Sequence, residues 1–297
     1  MTQPQLLGSF WTLAVGADPL GDQRCAHDFR VRVETAAKAG FTAMGFWHTD
    51  LAEIRKKYSF PEMQRILQGN GITQVEVEWL LDWFCTDQRR AVSDDTRKLL
   101  LDAAEQLGAR HIKIGDLGND CADIARMTEE FALLCRQAAQ RGTNVLFEML
   151  PAALSRAPSL DLVLSICRGS GAKNGGIMLD NLHLVRTGTP PEDIVRKLGR
   201  ELPLGVEIND GTLGEPVNLQ DSVVNRRLLP GDGEFDIAAF LHAVWTQGYD
   251  GPIGVEVLNE YIRKWPLETA ATEAFAKTAR VVGAARKTWE AARAVRR

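Results

Sequence analysis

Residues 144–180 read NVLFEMLPAALSRAPSLDLVLSICRGSGAKNGGIMLD, an apolar run ending near Glu148, an amphipathic stretch over 159–171, and a second apolar run ending on Asp180. A short apolar run, a helix-length amphipathic segment and another short apolar run are the mark of parallel strands covered by helices. The same unit recurs in both directions. Strands are expected at LLGSFWTLA (6–14), TAMGFW (42–47), TQVEVEWL (73–80), HIKIG (111–115), NVLFEML (144–150), GIMLD (176–180), LGVEIND (204–210) and PIGVEVL (252–258).

The intervening helical patterns include DFRVRVETAAKAG, FPEMQRILQGNG, DDTRKLLLDAAEQLGA and MTEEFALLCRQAAQRG. Gly40, Gly71, Gly108, Gly142 and Gly248 stand where helices should stop, because the residue after a last turn often takes a left-handed conformation that glycine adopts without strain. Eight such units in 297 residues, with no Pro/Ser-rich linker or break in composition, predict an α/β protein. The expected architecture is a single (β/α)8 barrel of the TIM type over residues 1–297, rather than an open doubly wound sheet with a second domain. The last stretch, LETAATEAFAKTARVVGAARKTWEAARAVRR, predicts a C-terminal helical extension packed on the barrel exterior or on a second subunit, so a homo-oligomer is one expectation.

Composition narrows the function classes. Hydrophobic residues make up 45% and charged residues 25%, which are globular values. A net charge of -4 and a pI of about 5.8 give no electrostatic ground for a nucleic-acid partner. No segment reaches the roughly 20 apolar residues that span a bilayer, so no membrane partner is expected. The opening MTQPQLLGSFW lacks the pattern of a secretory signal, and the five cysteines (Cys25, Cys85, Cys121, Cys135, Cys167) show no CxxC spacing. A cytoplasmic protein with reduced thiols is expected.

The chemistry lies in the acids. Glu148, Asp180, Glu207 and Glu256 stand at the ends of the fifth to eighth strands, and barrel enzymes gather their reactive groups at that end. Singly, each could pair with an arginine, cap a helix or line a polar rim. Jointly they converge near the axis, and several buried carboxylates need a compensating charge. A divalent cation is the economical one. Oxygen ligands suit Mg²⁺ or Mn²⁺, with Co²⁺ or Zn²⁺ also able to bind, and Mn²⁺ is the first expectation. Lys113, His183, Arg226 and Arg227 are available to temper the excess negative charge. His48, Glu76, Glu78 and Lys113, at or near the ends of earlier strands, are expected to line a substrate pocket. Trp11, Phe46, Trp47, Trp79, Trp83 and Phe84 supply core, with one or two at the mouth as an apolar wall. The long stretch DGTLGEPVNLQDSVVNRRLLPGDGEFD after the seventh strand has the length of a lid or binding loop.

FEML around Glu148, LDNLH from Leu179 to His183, and NRRLLPGDGEFD from Asn225 to Asp236 give the chain a resemblance over nearly its whole length. It resembles the xylose-isomerase-like TIM-barrel superfamily of sugar isomerases and epimerases, which also holds inosose dehydratases and an endonuclease branch. The resemblance implies a divalent ion held by a glutamate, an aspartate, a histidine and a glutamate from strands five to eight. In its ketose epimerases the two glutamates also move the proton. Carried onto this chain, Glu148, Asp180 and Glu256 become ligands, Glu148 and Glu256 become the acid/base pair, and His183 and Arg227 become substrate contacts.

Glu207 departs from that pattern, standing where the family usually has histidine. It is expected as the fourth ligand, with Asn209 or Asp210 as the alternative if Glu207 turns away. Alternation puts Glu207 and Asn209 on one face and Asp210 on the other. The reaction expected is metal-dependent isomerisation or epimerisation of a keto-sugar or polyol-derived ketone through an enediolate. The alternative is β-elimination by a dehydratase or lyase acting on an inosose or 3-keto-glycoside. Abasic-site endonuclease activity ranks below both, because it calls for a basic surface and the chain has five histidines and net negative charge. A small-molecule carbohydrate is the expected partner.

Overall fold

The computed structural model describes residues 5–117, 123–151, 154, 155 and 157–295, so Cys121 lies outside the described residues. Each of the eight apolar runs forms a strand: β1 (Leu6–Gly8), β2 (Ala43–Trp47), β3 (Gln74–Leu80), β4 (His111–Ile114), β5 (Asn144–Glu148), β6 (Gly175–Asp180), β7 (Leu204–Ile208) and β8 (Ile253–Val255). Every neighbouring pair is parallel, and β1 pairs with both β2 and β8, which closes the barrel in sequence order. Around it lie α1 (Phe10–Leu13), α2 (Phe29–Ala39), α3 (His48–Lys57), α4 (Phe60–Gly69), α5 (Arg89–Leu107), α6 (Ile124–Gln140), α7 (Leu160–Gly169), α8 (Asn181–Arg186), α9 (Pro191–Lys197), α10 (Leu219–Asn225), α11 (Ile237–Thr246) and α12 (Leu267–Val295).

Local chemistry explains where these helices start and stop. Ser59 and Glu62 cap α4 reciprocally, each side chain accepting the other's backbone N–H, with Pro61 in the first turn. Gly40 ends α2 at φ 117°, and a Cβ there would lie 2.4 Å from Cζ of Phe275 on α12. Glycine is required twice over, for the left-handed turn and for the close approach of the terminal helix. That helix packs on α2, α11 and β1, so the C-terminal extension lies on the barrel exterior.

Several strands stop short of their expected runs, β1 and β8 by the most, and one side chain meets the backbone at the end of β8. The run 6–14 leaves β1 after Gly8 and turns into α1, while β8 ends at Val255. The Thr12 hydroxyl donates to the Val255 carbonyl at 2.7 Å and accepts from the Val257 N–H at 2.8 Å, taking up backbone groups that a longer ladder would have used. The connection after β7 is also partly ordered as α10. Asp210 pins it by accepting from the backbone N–H of Gly231 and Phe235 at 2.9 and 3.0 Å.

Strand alternation divides the barrel into an apolar outer layer and an interior that carries charged side chains. Val77, Ile112, Val145, Phe147, Ile177, Val206 and Val255 belong to the main apolar core together with Phe131, Leu134 and Leu164 of the helices, all at most 2% exposed. On the opposite face, Glu76 and Glu78 are in register with His111 and Lys113, and Asp180 with Glu207. Barrel interiors are ordinarily filled by branched aliphatic residues, so this charged column is the fold's first departure from a purely structural core. Among the described residues no helix is long and apolar enough to cross a membrane.

Candidate active site at the carboxyl end of the barrel

Four elements deliver the four acids. Glu148 ends β5, Asp180 ends β6, Glu207 lies on β7 and Glu256 follows β8, and all four are buried. One oxygen of each lies within 4.8 Å of one oxygen of every other. Space for the side chains comes from glycines on adjacent strands. A Cβ at Gly254 would stand 2.9 Å from Glu207 Cγ, and one at Gly45 would stand 2.9 and 3.0 Å from oxygens of Glu76 and Glu78.

Among the described residues, two cations reach into the cluster. Lys113 Nζ lies 2.6 Å from Glu78, 2.9 Å from Glu207 and 2.8 Å from Glu256. Arg227, from the connection after β7, lies 2.6 Å from Asp180 and 2.9 Å from Glu256, and its Nε donates to the Val223 carbonyl at 2.8 Å. Burial disfavours the Lys113 ammonium, but Glu207, Glu256 and Glu78 outweigh it and hold its pKa well above the ordinary range.

The carboxylates respond unequally. Burial pushes Glu207 well up, with Glu256 adding to the effect, and raises Glu256 despite Lys113 and Arg227. Glu78 is pushed up to about 8, chiefly by burial. Glu148 and Asp180 move the other way. Burial opposes it, yet Lys113 and His183 lower Glu148, and Arg227, His183, the Leu182 N–H and Asn209 lower Asp180. Charge is therefore under-compensated, with some carboxyls driven toward the neutral form.

A divalent cation fits this donor set. Glu148, Asp180 and His183 also offer one ligand atom each within 4.8 Å of one another. Glu148 Oε1 and His183 Nδ1 are buried without a hydrogen-bond partner, and His183 Nε2 approaches Glu148 only to 3.4 Å. Buried polar atoms left unpaired in this way need a partner, and a hard cation would supply one to the carboxylates.

Above the acids opens a cavity of about 170 Å³, room for on the order of ten waters. Lys113, Glu148, His183, Arg227 and Glu256 are in its wall, with Gln23 and Gln220. Most of the remaining wall is apolar: Trp11, Trp47, Trp79, Leu81, Leu150, Leu154 and Leu258 among others. The three tryptophans meet edge-on or tilted, with ring centroids 4.8 Å apart for Trp11 and Trp47 and 5.7 Å for Trp47 and Trp79. A register shift between Glu78 and Leu80 breaks the alternation of β3 and accounts for Trp79 reaching the mouth. Gly115 gives that ring its place, since a Cβ there would lie 1.8 Å from Trp79 Cζ2.

The other expected site residues lie elsewhere. Asp180 and Glu207 sit beneath the cavity wall. Glu78 is fully buried at 0% exposure beside Lys113. Glu76 lies lower in the barrel, 3.0 Å from His111, and both line a separate void of about 10 Å³. His48 opens α3, its Nδ1 accepting from the Trp79 N–H at 3.3 Å and its ring packed on Trp47. Of the two alternatives to Glu207, Asn209 donates to Asp180 at 2.9 Å, and Asp210 serves the connection after β7. Arg226 faces outward to Asp221 and Glu260. Gln23 joins the wall from the connection between α1 and α2, and Gln220, Val223 and Val224 join it from α10, in the stretch expected to form a lid or binding loop.

An eight-stranded barrel with a carboxylate cluster at the carboxyl ends of its later strands defines a class of barrel enzymes. The sequence model of the xylose isomerase-like TIM barrel family matches residues 33–281, and the chain belongs to that family. The 3-dehydroshikimate dehydratase of Pseudomonas aeruginosa is 24% identical over 247 residues, which is 82% of this chain and 38% of that protein. The chain thus spans well under half the length of the curated relatives it matches. Among solved structures, the IOLI protein with a bound zinc atom superposes with a TM-score of 0.80 at 18% identity, over 94% of this chain and 98% of that one. An L-ribulose 3-epimerase superposes at 0.72 with 15% identity, over 97% and 98%. At these identities the likeness is one of fold.

Proposed function

We propose that this protein is a metal-dependent isomerase or epimerase that removes a proton next to the carbonyl of a small keto-sugar or polyol-derived ketone, through an enediolate. The observation that carries the reading is the pairing of Glu148 and Glu256 at one cavity wall, with oxygens within 4.8 Å of each other and pKa values driven in opposite directions. Two carboxyls tuned apart are the arrangement that lets one accept a proton while the other holds one. Glu148, kept ionised, is the base. Glu256, kept toward its protonated form, returns the proton. His183, in the cavity wall beside Glu148, orients a substrate oxygen, and Arg227 keeps Asp180 and Glu256 from repelling each other.

A divalent cation, Mn²⁺ by first preference, held by carboxylates of this cluster, supplies electrostatic stabilisation of charge developing on the substrate oxygens. The surrounding tryptophans and leucines exclude water, which lowers the local dielectric and strengthens each of these interactions. The thiols of Cys25, Cys135 and Cys167 are unbridged, in keeping with a cytoplasmic setting.

A second reading, elimination from the same enediolate, draws support from the wall itself. Free sugars present hydroxyls all round, whereas Trp11, Trp47, Trp79 and Leu258 offer an apolar face that suits a flatter or aglycone-bearing ketone. The similarity to a dehydratase points the same way. Incubating the Mn²⁺-loaded protein in D₂O with ketohexoses, inososes and 3-keto-glycosides separates the outcomes. Isomerisation leaves the formula unchanged apart from any solvent deuterium taken up at carbon, and elimination loses water or aglycone and creates an absorbing enone. A panel giving neither exchange nor enone removes the proposal.

A further inference from the structure

Lys113 bridges the barrel. Its side chain, 1% exposed on β4, contacts Glu78 on β3, Glu207 on β7 and Glu256 beyond β8. The four acids at the barrel end are consequently not equivalent. Both oxygens of Glu207 accept from the Lys113 ammonium at 2.9 Å, and the carboxylate lies beneath the cavity wall at 0% exposure. Among the described residues Glu148 contacts no lysine or arginine, its Oε1 has no hydrogen-bond partner, and it lines the cavity. Asp180 gives one oxygen to Arg227 and the other to the Leu182 N–H and the Asn209 amide. Glu256 divides its oxygens between Lys113 and Arg227, and it too reaches the cavity.

The ammonium stands equidistant from both oxygens of Glu207, the place a metal chelated by that carboxylate would take, whereas Lys113 and Arg227 each meet Glu256 through a single oxygen and Arg227 meets Asp180 through one, which leaves further lone pairs on both groups. Resting on the metal-dependent reading above, we infer that Glu207 is a positioning residue and not a metal ligand. The ion is held by Glu148, Asp180 and Glu256, with His183 alongside. Lys113 and Glu207 form a buried cross-barrel pair that stands where a fourth ligand would otherwise be. Its role is to fix the Lys113 ammonium against Glu256, so that this glutamate meets the ion and the substrate in one orientation.

The test is Mn²⁺ titration calorimetry with parallel thermal unfolding, on the wild type, E148Q, E207Q and K113M/E207M. E148Q should weaken Mn²⁺ binding by at least 100-fold. E207Q should stay within threefold of the wild type while its melting temperature falls by on the order of 5–10 °C, because a buried ammonium has lost one of its three carboxylate partners. K113M/E207M, which replaces the pair by apolar side chains of similar length, should bind Mn²⁺ at least as tightly as the wild type. A loss of tenfold or more in E207Q or in the double variant makes Glu207 a ligand and overturns the inference while leaving the metal-dependent reading intact. Absence of Mn²⁺ binding by the wild type overturns both.

Discussion

The mouth of the barrel has two unlike sides. From β5 to β8 come carboxylates, each at the end of a strand and each tied by charged or polar groups. From α1, β2 and β3 come Trp11, Trp47 and Trp79, joined by Leu81, which offer apolar surface and little hydrogen bonding. The difference separates two tasks. Groups that must hold protons and charge in fixed positions stand on strands that the ladder makes rigid. Groups that choose among substrates by shape reach the cavity from a helical turn, a strand end and a register-shifted strand, where side chains can change without disturbing the acids.

The largest effect expected from breaking this division is on the charged side. E148Q and E256Q should each lower kcat by roughly 10²–10⁴-fold, the usual worth of a positioned acid or base, with far-UV circular dichroism unchanged. Variants that lose less than tenfold in the assay that detects activity would move the proton chemistry to other residues. On the aromatic side, W47A and W79A should raise KM by about tenfold with kcat within a fewfold, since a ring that touches substrate in ground and transition states alike contributes uniform binding. A fall in kcat as large as that of E148Q would mean that the two sides do not divide the work.

The smallest effect lies behind the aromatic side, at His48, which touches Trp47 and Trp79 and whose imidazole burial pulls down to about 4 from 6.5. Between these values the unfolded chain holds a proton that the folded protein lacks, so stability is full above pH 6.5 and is lost as the pH falls toward 4. Urea unfolding at pH 7 and pH 5 should show that loss in the wild type, and H48Q should reduce it by about 1–2 kcal/mol. An equal loss in H48Q would place the acid sensitivity in other groups.

Architecture was largely legible because it rests on periodicity. Eight apolar runs and glycines at helix ends are local signals, and each run became a strand. What escaped was set by contacts distant in sequence. The end of β8 depends on a hydroxyl at Thr12 meeting backbone more than 240 residues away. Trp79 reaches the cavity by a register shift that strict alternation does not foresee. The acids were legible as strand-end residues, and their convergence followed from the barrel. Their partners were only half visible: Lys113 read as a pocket residue, with no sign in the sequence that its ammonium would take both oxygens of Glu207. Signals for the interior were nonetheless present in Gly205-Val-Glu207 and Gly254-Val-Glu256, where a missing side chain two residues before each acid leaves room along the axis.

Because Gly254 lends its absent side chain to Glu207 on the adjoining strand, neither position can change freely without the other. Libraries that vary the reactive positions alone would sample only a corner of the sequences this scaffold can carry, since an enlarged or relocated acid needs a vacancy opened next door in the same step. Redesign of the barrel toward other substrates should therefore draw its substitutions in adjacent-strand pairs.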